Sequence, residues 1–164
     1  MNAPSIDRPA IPADYGITKA TEFVEWSRVE ERLAADRLYW VVTVGRSGRP
    51  RVRPIDGLYV DGTIYVGGSP QTRWVREMGE NPHVAIHLDG TEEVIIVEGD
   101  AEVLAGIGEE LAKALAAASN EKFPEYRMTA KFYRANGAIA IRPRKAIAWT
   151  DITKDPTRFR FDRR

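Results

Sequence analysis

The residues best suited to chemistry gather at one corner of the chain, in the run TIYVGGSPQTRWVREMGENPHVAIHL (63–88). An apolar stretch ends in Gly67-Gly68, and Ser69-Pro70 follows, a capping hydroxyl with a proline suited to the first helical position. The spacing predicts a short helix from Ser69, ended by Gly79 and Asn81-Pro82. Such a helix start presents unpaired N–H donors and the positive end of a dipole, which suits a phosphate. Thr72 and Arg73 fall in its first turn, where a hydroxyl and a charged fork complete an anion site. Upstream, RVRPI spaces Arg51 and Arg53 two apart on a strand, so both project from one sheet face. Pro54 has no N–H and marks an edge or irregular position. Each feature also has a plainer reading: a capped helix with a solvated arginine, and the charged outer face of a barrel.

Other candidate groups offer less. His83 and His87 lie four apart on a strand, about 13 Å at ~3.3 Å per residue, too far for one tetrahedral metal. GGSPQT lacks the last glycine of a hydrolase elbow, and neither a phosphate-binding P-loop nor a dinucleotide fingerprint occurs. Asp89, Glu92 and Glu93 read as a charged hairpin end, and Arg142, Arg144 and Lys145 as the charged rim of a strand. No side chain is required by its surroundings to be a general acid or base.

The 24 basic and 24 acidic residues cancel, which argues against a nucleic-acid or acidic-lipid partner. An oligonucleotide-binding barrel using Arg51 and Arg53 would need more positive charge. There is no cysteine, hence no disulfide, thiolate zinc site or thiol nucleophile, and a cytoplasmic location is expected. No apolar run approaches the ~20 residues needed to span a bilayer.

The elements that position these residues follow from periodicity. TEFVEWSRVEERLAADR predicts an amphipathic helix over 21–36, and LYWVVTVG a strand over 38–45. Asp61-Gly62 between apolar runs signals a hairpin. HVAIHL (83–88), a long strand 92–104 with Gly99 as a bulge, an alanine-rich helix 108–123, a strand 137–150 interrupted at Pro143, and TRFRF complete the chain. Residues 1–19, with three prolines before position 13, are expected to be an irregular extension, and 20–164 a single domain. Short hairpins at this spacing favour a mainly β fold, a small antiparallel barrel with peripheral helices.

In this order, LYWVVTVGRSGRPRVRPI, DGTIYVGGSPQTR, NPHVAIHL, VEGDAEVL and IRPRKAIAWT…PTRFRF, the chain resembles the pyridoxamine 5′-phosphate oxidase-like superfamily over residues 20–161. The likeness is greatest to the branch that uses FMN or the deazaflavin coenzyme F420. The resemblance implies a six-stranded antiparallel split β-barrel of the FMN-binding type. It further implies a homodimer with the cofactor in a groove between subunits. Arg51, Val52, Arg53, Pro54 and Ile55 would line the ring and its tail, and Val66, Gly67 and Gly68 would back the tail. Thr72 and Arg73 would take the phosphate, and Trp149 and Arg158 would close the site or the dimer seam. Trp74 stands where relatives often carry lysine, and its indole would pack on a ring or on Arg73. Asp56 stands where many relatives place an aromatic residue.

The implied activity is hydride or electron transfer between the cofactor and a small-molecule substrate. Vitamin B6 oxidation is not expected, because it needs a second phosphate site. The alternative is a non-catalytic carrier or sensor of a flavin or haem, which the loss of the corner lysine favours.

Overall fold

The computed structural model describes residues 3–17, 20–90 and 92–162. Its strands are β1 (Ser5–Asp7), β2 (Leu38–Val44), β3 (Pro50–Val60), β4 (Thr63–Val66), β5 (His83–Leu88), β6 (Val94–Leu104), β7 (Ala138–Trp149) and β8 (Thr157–Arg160). The α-helices are α1 (Trp26–Ala35), α2 (Arg73–Glu80), α3 (Glu109–Lys122) and α4 (Ala130–Asn136). The sheet runs β1-β8-β7-β4-β3-β2-β5-β6, and β6 returns to β7, so six antiparallel strands close into the expected barrel. None of the described helices is long and apolar enough to cross a membrane.

Alternation sets the two faces of the wall. Tyr39, Val41 and Thr43 of β2 point inward with Val84, Ile86 and Leu88 of β5, while Trp40 and Val42 point outward. The inward set joins Val29, Leu33, Ile64, Ile95, Val97, Ile141 and Phe159 in the main core. Helix α1 meets the start of β2, where Tyr39 donates its hydroxyl proton to the Leu33 carbonyl. Helix α2 meets the other end of β2, so the two helices cover opposite ends of the barrel. A second cluster forms where α3 and α4 pack on Leu58 and Ala138 outside it.

Several elements depart from the periodicity. Helix α1 begins at Trp26 rather than 21, because Val24 is drawn into the extended backbone by its N–H bond to the Thr157 hydroxyl, 2.8 Å. Strand β7 continues through Pro143 but is irregular beside it: Glu98 pairs with Lys145 and Gly99 with Pro143, so Arg144 is the extra residue of a bulge opposite the Glu98–Gly99 step. The hairpin at Asp61-Gly62 has positive φ at both residues, the geometry that matches strand twist. Within the N-terminal segment, β1 adds to β8, and Asp7 receives two bonds from Arg158, both 2.6 Å.

Candidate functional site

Strand β3 carries the first half of the site. Its residues 50–56 pair only with β2, and β4 joins it from Gly57 onward, so the edge beside Arg51–Ile55 has no strand neighbour. Pro54 sits on this half-free stretch, as a residue lacking an N–H should. Arg51, Arg53 and Ile55 pair with the inward residues Thr43, Val41 and Tyr39 and are half-buried. The two arginines therefore occupy the inner face, which sets aside the plainer reading of a charged outer face. Val52 and Pro54 face outward and are exposed.

Helix α2 carries the second half. It starts at Arg73, with Thr72 as N-cap and no side-chain cap, rather than at Ser69. Residues 69–72 form a turn instead: the Ser69 hydroxyl accepts from the Gln71 N–H at 3.2 Å, and the Ser69 carbonyl accepts from the Thr72 N–H and hydroxyl at 2.9 and 2.6 Å. A serine hydroxyl that serves a turn cannot also cap the helix, which moves the uncapped N–H groups to Arg73, Trp74 and Val75. Close approach makes the corner possible. A Cβ on Gly68 would lie 2.5 Å from Trp74 Cζ2 and 2.8 Å from Val75 Cγ2, so only glycine fits.

The two halves meet on Glu77, a residue that motif reading missed. Glu77 is 5% exposed, and its Oε1 lies 3.1 Å from Arg73 Nε and 3.4 Å from Arg51 Nε. Its Oε2 accepts from the Thr43 hydroxyl at 3.0 Å. Gly45 leaves room for this carboxylate, since a Cβ there would stand 2.8 Å from Glu77 Cγ. Arg53 lies over the Trp74 ring at 5.2 Å, with its Nη1 3.5 Å from the Thr43 oxygen. Trp74 is thus packed inward against Arg53, not on Arg73, and it is largely buried.

Electrostatics follow from this arrangement. Burial works to raise the Glu77 pKa, but the Thr43 hydroxyl, Arg51 and Arg73 outweigh it and hold the carboxyl below its ordinary value. Burial lowers the Arg53 pKa, with Glu77 opposing, yet a guanidinium stays charged at neutral pH. Two guanidiniums therefore pair with the Glu77 carboxylate, and a third, Arg53, lies nearby against the Trp74 ring and the Thr43 hydroxyl. Arg73 donates to Glu77 through Nε and Arg51 approaches it as an ion pair through Nε, and neither makes a hydrogen bond from its Nη groups to any described residue. Donors of this kind, beside the uncapped start of α2, can bind an oxyanion.

The remaining expected site residues lie apart. Val66 is buried in the core, and Gly67 and Gly68 line the exposed corner. Trp149 and Arg158 face outward on β7 and β8, on the opposite side of the wall from the arginine cluster, and Arg158 is held by Asp7. Their outward row, read across the registers, is Pro54, Trp40, His87, Ile96, Ile147 and Arg158, with the Trp40 and His87 rings stacked at 6.0 Å. His83 faces the same way and meets Asp100 at 2.9 Å. Glu93 binds Arg28 and Arg32, and Arg142, Arg144 and Lys145 each pair with a carboxylate on β6. Asp56 receives the Tyr126 hydroxyl. Two cavities, of about 370 and 490 Å³, lie away from the cluster, beside Lys122 and beside Arg32. The cluster itself opens to solvent in the single chain.

Comparison with known proteins agrees with this architecture. The family model described as pyridoxamine 5′-phosphate oxidase matches residues 26–150. Among solved structures, the chain is similar to the protein Rv2991 of Mycobacterium tuberculosis, with TM-score 0.63, 15% identity, and coverage of 80% of this chain and 89% of that one. It is also similar to an F420 reductase, with TM-score 0.56, 17% identity, and coverage of 74% and 96%. A third likeness is to HutZ, the haem storage protein of Vibrio cholerae, with TM-score 0.55, 18% identity, and coverage of 71% and 87%. At these identities the structures share a fold. No curated protein matches the chain.

Proposed function

The chain belongs to the pyridoxamine 5′-phosphate oxidase family, and on that premise we propose that it binds FMN or the deazaflavin F420 and acts as an oxidoreductase on a small molecule. The observation that carries the reading is the pairing of Arg51 and Arg73 with one buried carboxylate, with Arg53 beside them over Trp74 and the Nη donors of Arg51 and Arg73 left over. The bound cofactor would supply hydride or electron transfer at its ring.

The chain's own residues bind and orient. Arg51 and Arg73 would hold the phosphate, with Thr72 and the first N–H groups of α2 beside them. Arg53, kept in place by the Trp74 face, adds charge without reaching for Glu77. The unpaired edge of residues 50–56 would receive the tail and ring, with Gly67 and Gly68 at the exposed corner beside it. No side chain here is assigned a proton-transfer role.

The proposal includes a second copy of the chain. A second protomer seated on the outward row of Trp40, His87, Ile96 and Ile147 would bury that largely apolar face. Trp149 and Arg158 share that face and would then reach the seam.

Absorbance and fluorescence of the purified protein test the reading. Yellow colour with emission released on denaturation, or quenching of added F420, supports it, with ultracentrifugation reporting a dimer. A Soret band, with no affinity for either coenzyme, would replace it by a haem carrier.

A further inference from the structure

We infer that Glu77 sets the anion site for a doubly charged phosphate monoester, by fixing two arginines through Nε while cancelling one of three positive charges. The inference rests on the function proposed above and selects FMN over F420 within it.

The geometry has three parts. First, a carboxylate that took the Nη pairs of Arg51 or Arg73 would occupy the same fork that a phosphate needs. Glu77 instead accepts from Arg73 Nε at 3.1 Å and pairs with Arg51 Nε at 3.4 Å, so both guanidiniums are drawn in on the Nε side and their outer donors stay available. Second, Glu77 is itself fixed. Its Oε2 accepts from Thr43 on β2, its Cγ lies where Gly45 has no side chain, and 5% exposure leaves no other place for the charge. Third, Arg51 and Arg73 paired with Glu77, together with the neighbouring Arg53, sum to two positive charges. A phosphate monoester carries about −1.5 to −2 at neutral pH. The phosphodiester of F420 carries a single negative charge and has one fewer terminal oxygen to offer the forks. The Arg73 to Glu77 spacing of four residues makes the arrangement local to one helix, while Arg51 brings in the strand.

Two substitutions separate position from charge. Glu77→Gln keeps an oxygen acceptor for both Nε groups and raises the cluster by one positive charge. Glu77→Asp keeps the charge and withdraws it by one methylene. Equilibrium titrations with FMN, riboflavin and F420 read the outcome, with thermal unfolding of each apoprotein confirming the fold. The wild type should bind FMN at least about tenfold more tightly than F420. Glu77→Gln should tighten FMN about tenfold and steepen its salt dependence, because a like charge has been removed beside the phosphate. Glu77→Asp should weaken FMN several-fold, and riboflavin, which has no phosphate, should be unmoved by either change.

A wild type that prefers F420 overturns this inference alone, and one that binds neither coenzyme overturns the proposed function with it. A folded Glu77→Gln protein that binds FMN no more tightly than wild type also overturns it, as does riboflavin affinity that moves in step with FMN. Should Glu77→Gln fail to fold, unchanged FMN affinity in Glu77→Asp is sufficient to refute the positioning role.

Discussion

Adjacent glycines at the corner should respond in opposite ways to the same methyl group. On Gly68 a Cβ would stand 2.5 and 2.8 Å from the Trp74 ring carbons and 2.8 Å from Val75 Cγ2. Ordinary carbon contacts sit at about 3.5–4.0 Å, so the indole and the corner must separate by roughly 1 Å. Overpacking of this kind costs about 1–3 kcal/mol. For a chain of this size each kcal/mol lowers Tm by about 2–4 °C. Displacing Trp74 also removes the face over which Arg53 lies at 5.2 Å, so phosphate-dependent FMN affinity should fall in the same variant. On Gly67 a Cβ meets nothing within 4 Å, and the backbone is not in the left-handed region. Gly67→Ala should therefore be neutral or stabilising by about 0.4–1 kcal/mol, through reduced freedom of the unfolded chain. Urea unfolding of both variants, with equal m-values, measures the difference. If Gly68→Ala is as stable as Gly67→Ala and binds FMN as the wild type does, the close-packed corner is refuted.

Two pH dependences follow from groups outside the site. Burial of Lys122 lowers its pKa from 10.5 to about 8, although its ammonium bonds the Leu33 and Gly57 carbonyls. Between those values the unfolded chain holds more protons, so stability should rise as pH climbs from about 8 towards 10. Above pH 10 the buried Tyr39 phenol, which resists ionising, should reverse the trend, and Lys122→Met should flatten the rise; denaturation midpoints across this range check both. At the acid end, hydrogen bonding to Arg158 holds the Asp7 pKa at about 2 against an ordinary 3.8. Its contribution is present above about pH 4 and lost as pH falls towards 2, so Asp7→Asn should shallow the acid limb, leaving the part due to Asp151, which also titrates near 2.

Much of the fold was legible because it rests on local signals. Alternation in LYWVVTV, the Asp61-Gly62 turn and the irregularity marked by Gly99 and Pro143 each declare themselves within a few residues, whereas the barrel is closed by the long-range pairs of β7 with β4 and β6. The start of α2 was misplaced because two motifs compete for Ser69: its hydroxyl can cap a helix or close a turn, and the close approach of Gly68 to Trp74 decides for the turn. The facing of Arg51 and Arg53 could not be decided from their spacing, since a period of two says that they share a face but not which one. Thr43, polar within an apolar strand, held the clue, because its pairing with Arg51 makes that face the inner one. Glu77 left only the spacing of four from Arg73, a pattern common on solvated helices. Trp149 and Arg158 lie across the wall from the arginines, a separation that depends on the whole sheet and on no local motif.

The most direct measurement is the affinity for FMN relative to riboflavin in the wild type and in Arg51→Ala and Arg73→Ala. Charged hydrogen bonds of about 2–3 kcal/mol each should make the wild type prefer FMN by at least about 30-fold. Each substitution should remove much of that preference while leaving riboflavin within about twofold, because the isoalloxazine does not depend on the guanidiniums. Equal affinity for the two ligands in the wild type, or a preference that survives loss of both arginines, would contradict a phosphate held between β3 and the start of α2.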